Sequence, residues 1–253
     1  MAGQIKRVLS IDWDYFQDVT KKQIINYPDG NETLGELNNL VWAVRYSDMY
    51  PNFDPREISI NKKLYDEMMN IIKFQTKGTP ARIAESHAQC YNFIKYEFNP
   101  GDIIELYNVD LHHDLFNDNE EEMNCGNWIL YLMKSYEVYL SWFNRSVSLE
   151  AYKLSKKNKD MRMYTDSLDE IKHTLFDAVF LCRSGAWIPP HLDPMFEKMG
   201  NVIASRCKTR FVPDRDVLLP RSVCENMITV LNGHVKNYDE TRRTYETLQS
   251  KRY

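Results

Sequence analysis

Glycine is scarce in this chain, 9 residues in 253 against 16 tyrosines, which excludes a low-complexity linker or a glycine-punctuated repeat array. No apolar run approaches the roughly 20 residues that a bilayer span needs. The first residues, Met1 to Gln4, lack the apolar stretch of a secretion signal. Cysteine offers no scaffold: Cys90, Cys125, Cys182, Cys207 and Cys224 are odd in number, scattered, and never in a C-x-x-C pair. Neither a disulfide framework nor a cysteine zinc site fits that pattern, and reduced thiols in a cytoplasm do. Excess positive charge is also missing. The net charge is −4, so no general nucleic-acid binder is expected, and the basic stretches Lys153–Lys159 and Arg242-Arg243 read as solvated faces.

What is present is ordinary for a folded domain, with 43% hydrophobic and 27% charged residues. The length suffices for one large α/β domain, and no composition break marks a linker. Ile5 to Ile11 reads as a short apolar strand ending in Asp12-Trp13-Asp14. Turn signals at Pro28-Asp29-Gly30 and Tyr50-Pro51 make the next fifty residues a long excursion with some helix. Leu64, Met68, Ile71 and Ile72 give Asn61 to Phe74 a helical spacing, with Asn61 as N-cap. Ala81 to Ala84 is a short strand, and His87 opens a helical pattern through Cys90, Phe93, Ile94 and Phe98, stopped by Pro100-Gly101. Asp102 to Val109 is a second apolar strand, running into Asp110-Leu111-His112-His113-Asp114.

An acidic loop over 117–122 precedes a helix from Asn127 to Ser135. A strand follows at Glu137–Phe143, then a short helix at Asp166–His173 and a third clear strand at Ala178–Cys182. A helix from about His191 to Met199 and a polar surface helix from Asp239 to Lys251 complete the chain. Apolar strands separated by helices predict a three-layer α/β/α fold with a mostly parallel sheet covered on both faces.

Two strands end in acidic clusters. Ligands of open α/β sheets bind outside the carboxyl ends of the strands, where residues distant in sequence converge. Asp110, His112 and Asp114 stand at i, i+2 and i+4, and an extended chain projects all three to one side; Asp12 and Asp14 do the same. Several carboxylates on one face repel one another and resist desolvation unless cations lie between them. Four carboxylates and two imidazoles form a hard-to-borderline donor set suited to manganese, iron or zinc. The plainer readings are a turn or N-cap for Asp12-x-Asp14 and a satisfied core histidine for His87, which gains weight only from the company it completes. His113 points away from the trio on an extended chain, where a buried, hydrogen-bonded histidine is its plain role. Arg183, Ser184 and Trp187, after the third strand, and Asn127 and Trp128 are candidate substrate contacts. A structural ion pair is the plain alternative for Arg183, and helix capping and packing that for Asn127 and Trp128.

These residues resemble a known family. Asp110-Leu-His112-His-Asp114 resembles the D-A-H-x-D metal motif of the arginase, agmatinase and deacetylase superfamily. Ser10-Ile-Asp12-Trp-Asp14 resembles its S-x-D-x-D motif, and Glu85-Ser-His87 the segment carrying the remaining histidine ligand. Within that superfamily, Glu85-Ser-His87, Val109-Asp110-Leu-His112-His-Asp114-Leu115 and Gly126-Asn127-Trp128-Ile129 look most like a UPF0489-type arginase-like group. The resemblance implies a single arginase-like domain over 1–253, with Asp110 and Asp12 bridging two divalent ions. His87 and Asp114 would complete the first ion's shell, His112 and Asp14 the second's. Manganese is the expected metal, iron or zinc the alternatives. A bridging hydroxide would then attack a carbon–nitrogen bond of amide, amidine or guanidine type, with Asp110, His113 and Arg183 as candidate catalytic groups. In arginases the D-x-D segment follows D-x-H-x-D; here it comes first, the order a circularly permuted sheet would give. The arginase Asp-Pro is replaced by Tyr15-Phe16-Gln17-Asp18, and no carboxylate for gripping a guanidinium can be located. A small-molecule substrate is expected, without nucleic acid or membrane, and a homo-oligomer is left open. The competing readings are a two-metal or haloacid dehalogenase-like phosphoesterase, and a binding protein that keeps the fold without turnover.

Overall fold

Strand β1 (Ile5–Asp12) carries apolar residues on both faces, as a strand between two helical layers must, and it lies at the centre of the sheet. The molecule is described by a computed structural model covering residues 3–25, 35–49, 54–116, 122–152, 161–209 and 218–250. Beyond β1 the chain makes β2 (Gln17–Asp18), α1 (Lys21–Ile25), α2 (Gly35–Tyr46) and β3 (Ser59–Ile60), β2 and β3 forming an antiparallel pair. Then follow α3 (Lys62–Phe74), β4 (Pro80–Ala84), α4 (Gln89–Glu97) and β5 (Ile103–Val109). Next come α5 (Trp128–Ser135), β6 (Glu137–Asn144), α6 (Ser146–Ala151) and β7 (Arg162–Thr165). The last elements are β8 (Ala178–Cys182), α7 (Asp193–Arg206), β9 (Lys208–Thr209) and α8 (Glu225–Ser250).

Seven strands form one sheet in the order β7-β6-β5-β1-β8-β4-β9, with every pairing parallel. Alternation along the strands divides the core in two. Leu9, Ile11, Val179 and Leu181 pack on one side with Leu64, Met68 and Ile72 of α3 and Phe196 and Met199 of α7. Val8, Leu106 and Phe180 pack on the other with Phe93 and Ile94 of α4 and Trp128 and Leu132 of α5. The architecture is the expected three-layer α/β/α fold. No helix among the described residues is long and apolar enough to cross a membrane.

Asn61 caps α3 as expected, its side chain accepting from the Leu64 N–H at 3.1 Å. Some elements differ from the sequence reading. The short helix expected over Asp166–His173 is only a 3-10 turn at Asp169–Ile171. The helix expected from His191 starts as a 3-10 turn at Pro190–Leu192 and runs on to Arg206. α8 begins fourteen residues before Asp239, since its first turns seat Ile228 against Trp42, Ala43 and Tyr46 of α2. The short edge strands β7 and β9 and helix α6 carry no apolar period that would announce them. The turns at 28–30 and 50–51, most of the acidic loop (117–121) and the basic stretch 153–159 lie outside the described residues.

Candidate metal centre

β1 lies directly between β5 and β8, with Ile11 opposite Val109 and Asp12 opposite Cys182. That register brings the ends of the two acidic strands side by side. Asp12 closes β1 and accepts the Asp14 N–H at 3.2 Å, turning the chain into a 3-10 turn at Trp13–Phe16. Trp13 and Tyr15 bury in the core, as their alternation with the aspartates suggests. The second cluster does not remain extended. The His112 N–H folds back onto Asp110 Oδ1 at 2.7 Å, and Asp114 takes a left-handed backbone at φ 52°. Convergence of Asp110, His112 and Asp114 therefore comes from a bend beyond β5, not from strand alternation.

All six expected ligands meet. His87 Nδ1 lies 3.2 Å from Asp12 Oδ2, 3.2 Å from Asp110 Oδ2 and 2.9 Å from Asp114 Oδ2. His112 Nδ1 lies 2.9 Å from Asp14 Oδ2 and 3.5 Å from Asp110 Oδ1. Two groups of donor atoms result, Asp12–His87–Asp110 and Asp14–Asp110–His112, each within 4.8 Å and sharing Asp110. Asp12 itself belongs to one of these groups, so the sharing is clear for Asp110 alone.

Surrounding groups hold this arrangement. Ser10 Oγ is 2.7 Å from His87 Nε2, and Trp128 and Phe180 flank the ring. Trp128 Nε1 donates to Asp114 Oδ2 at 2.6 Å, and Ser184 Oγ to Asp12 Oδ2 at 2.6 Å. The Leu111 N–H donates to Asp14 Oδ1 at 3.3 Å. Tyr152, outside the motifs, places its hydroxyl 2.9 Å from His112 Nε2.

The electrostatics of the protein alone do not balance. Burial and the neighbouring Asp12 and Asp110 carboxylates push the Asp14 carboxyl up to about 8. Burial and Asp110 raise Asp114 as well. Burial opposes ionisation of Asp110 too, but the close approach and positive charge of His112 and His87 outweigh it and hold that carboxyl low. Burial works against the His87 imidazolium, yet Asp114, Asp110 and Asp12 hold its pKa well above the ordinary value. His112 is likewise raised, burial again opposing and Tyr152, Asp14 and Asp110 prevailing. Two polar atoms in the middle, His87 Nδ1 and Asp14 Oδ2, are buried without a hydrogen bond. Their close approaches are those of ligand atoms around a shared point, not of aligned N–H···O bonds. With neutral imidazoles the four carboxylates carry four negative charges, which two divalent cations would cancel. The donor set fits such ions.

The remaining candidates are placed differently. His113 turns away, its Nδ1 accepting the Leu115 N–H at 3.0 Å and its ring against Phe116 and Trp142, so the plain role is the one the structure supports. Arg183 is only 5% exposed and directs its guanidinium at Glu85, Asp193 and the Leu219 carbonyl. It is a structural ion pair, and the catalytic role expected of it has no support in this geometry. The loop it braces is also gripped by Arg221, through Asp193 and the Gly185 and Ile188 carbonyls. In that loop Ser184 has φ 50°, a left-handed conformation uncommon outside glycine, which carries its hydroxyl to Asp12. Asn127 ties its own loop together through Asn124 and Glu122 and does not cap α5 by its side chain. Trp187 stands near the centre, its ring 5.9 Å from that of His112. The His112 side chain is 21% exposed against 1% for His87, so the described residues leave the centre open on the His112 side.

Comparison with known proteins supplies no relative: no family model, curated protein or solved structure matches the chain.

Proposed function

We propose that this chain is a cytoplasmic, dinuclear metal-dependent hydrolase of arginase-like type, acting on a carbon–nitrogen bond of a small amide, amidine or guanidine. The observation that carries the reading is Asp110, whose two carboxylate oxygens each face a different histidine, 3.2 Å from His87 and 3.5 Å from His112. One carboxylate between two imidazoles suits a pair of ions and has little use in a single-ion site. Asp12, His87, Asp110 and Asp114 would hold one ion, and Asp14, Asp110 and His112 the other. Bound, a pair of manganese ions (or iron or zinc) supplies Lewis acidity and a nucleophile drawn from water, so neither a serine nor a cysteine nucleophile is required.

The chain's own groups do the rest. A proton on His87 Nε2 donated to Ser10 leaves the Nδ1 lone pair facing the carboxylates, the tautomer that ligation requires. Trp128 and Ser184 fix the rotamers of Asp114 and Asp12. A substrate would approach beside His112, where Tyr152 and Trp187 offer flat apolar walls with polar edges. The mutual approach of Asp14 and His112 gives D-x-H-x-D a purpose that a phosphatase using Asp12 alone leaves without one.

Protein purified without chelator should contain near two Mn, Fe or Zn per chain and hydrolyse a member of a panel of amides, amidines and guanidines. A single, readily lost magnesium with turnover of phosphate esters would establish the phosphoesterase instead. Two bound ions with no turnover across both panels would favour a binding protein.

A further inference from the structure

We infer that Tyr152 is a positioning residue for the more open half of the centre, its hydroxyl fixing the His112 ring so that Nδ1 faces Asp14 and Asp110. The inference rests on the dinuclear reading above and concerns which group completes it.

Packing holds His112 less firmly than its counterpart. His87 lies between Trp128 and Phe180, nearly inaccessible, with Ser10 on its Nε2. His112 has one-fifth of its side chain exposed, and among the described residues the rings it meets are both tilted, Tyr152 at 5.0 Å and Trp187 at 5.9 Å. A ring held only by such contacts can rotate and carry Nδ1 away from the carboxylates. The Tyr152 hydroxyl, 2.9 Å from Nε2, stands on the ring edge opposite the nitrogen that faces Asp14. A neutral imidazole ligating through Nδ1 carries its proton on Nε2, and the phenol oxygen is placed to accept it. Each histidine of the centre thus has a hydroxyl on its outer nitrogen, Ser10 for one and Tyr152 for the other.

Tyr152 is itself firmly placed. Its N–H closes α6 on the Ser148 carbonyl at 2.9 Å, and its ring meets Phe116 at 5.9 Å. The residue before α6, Arg145, bonds the Tyr15 and Gln17 carbonyls, just beyond Asp14. The segment 145–152 therefore braces the Asp14 turn at one end and His112 at the other.

The test is titration of the metal-free chain with Mn(II), free ion being followed by electron paramagnetic resonance. Tyr152→Phe keeps the ring and its packing and removes only the hydroxyl. One of the two dissociation constants, that of the ion beside His112, should rise about 10–100-fold with the other unchanged, the exchange-coupled signal of the ion pair appearing at correspondingly higher manganese. Ser10→Ala is the mirror experiment and should weaken the ion beside His87 while leaving the other. Two ions bound by wild type with both constants unaltered in Tyr152→Phe, or both weakened equally, would overturn the inference and leave the dinuclear function standing. Fewer than two ions bound by wild type would overturn the function first, and the inference with it.

Discussion

The Ser10 hydroxyl sits 2.7 Å from His87 Nε2, on a strand residue that is wholly inaccessible to solvent. β1 therefore contributes more than Asp12: two residues earlier its Ser10 hydroxyl faces Nε2 of a histidine 77 positions away, placed to accept the proton that ligation through Nδ1 would leave there. Replacing Ser10 by alanine leaves a buried imidazole N–H without its partner. We expect a loss of about 1–3 kcal/mol in stability and roughly tenfold weaker manganese binding. Chemical denaturation and metal titration of Ser10→Ala measure the two effects separately.

Asp110 and Asp114 differ in how many neighbours they serve. Asp110 faces both histidines, whereas Asp114 approaches only His87. Asp110→Ala should therefore lose both ions, and Asp114→Ala should retain about one per chain. Metal content after desalting decides the matter, and equal, undiminished content in both variants would refute the shared role.

Protonation opposes metal uptake. Asp14, raised to about 8, keeps its proton through neutral pH in the metal-free protein, so an arriving cation must displace it. Manganese affinity should rise about tenfold per pH unit for each proton displaced between about pH 6 and 8. The metal-free chain follows the linkage in the other direction. Asp14's folded-state value exceeds its ordinary one, so its stabilising contribution is full in acid, below the ordinary carboxylate range. It is lost as pH rises through about 8. Asp110, held low, acts oppositely, its contribution being lost as the solution is acidified. Calorimetric titration in buffers of different ionisation heat counts the released protons; a flat affinity across this range would contradict the assignment.

Gly185 has room for hydrogen only. A Cβ there would come within 2.1 Å of Glu85 Oε1, 2.8 Å of Asn38 Nδ2 and 3.0 Å of Arg221 Nη1. Gly185→Ala should cost about 1–3 kcal/mol through overpacking. Because Ser184 is its neighbour and bonds Asp12, the ion beside His87 should also bind more weakly. Thermal melts of the metal-free and manganese-loaded variant report both.

Much of this was legible in the sequence because the informative residues are locally patterned. β1, β4, β5, β8 and α3 follow from apolar period and capping, and the six candidate ligands from two short motifs plus a histidine after a strand. The hidden part depends on long-range partners. Tyr152 reaches His112 across 40 positions, and Arg183 meets Glu85 across 98, so neither neighbour is visible in a local window. A lone arginine after a strand looks the same whether it awaits an anion or already holds one. The bend at Asp110–Asp114 was hidden for another reason: a left-handed aspartate leaves no mark on side-chain alternation.

The place of β1 in the sheet has a consequence for the order of assembly. Among the strands of this sheet β1 comes first in the chain, and it pairs on one edge with residues 103–109 and on the other with 178–182. A nascent chain cannot close the second edge of this apolar strand until some 170 residues have followed it. Parallel pairing at that separation is slow, because a large loop must close before any contact rewards it. The proposed metal centre is thereby completed only once β8 has paired with β1 and Ser184 has arrived beside Asp12.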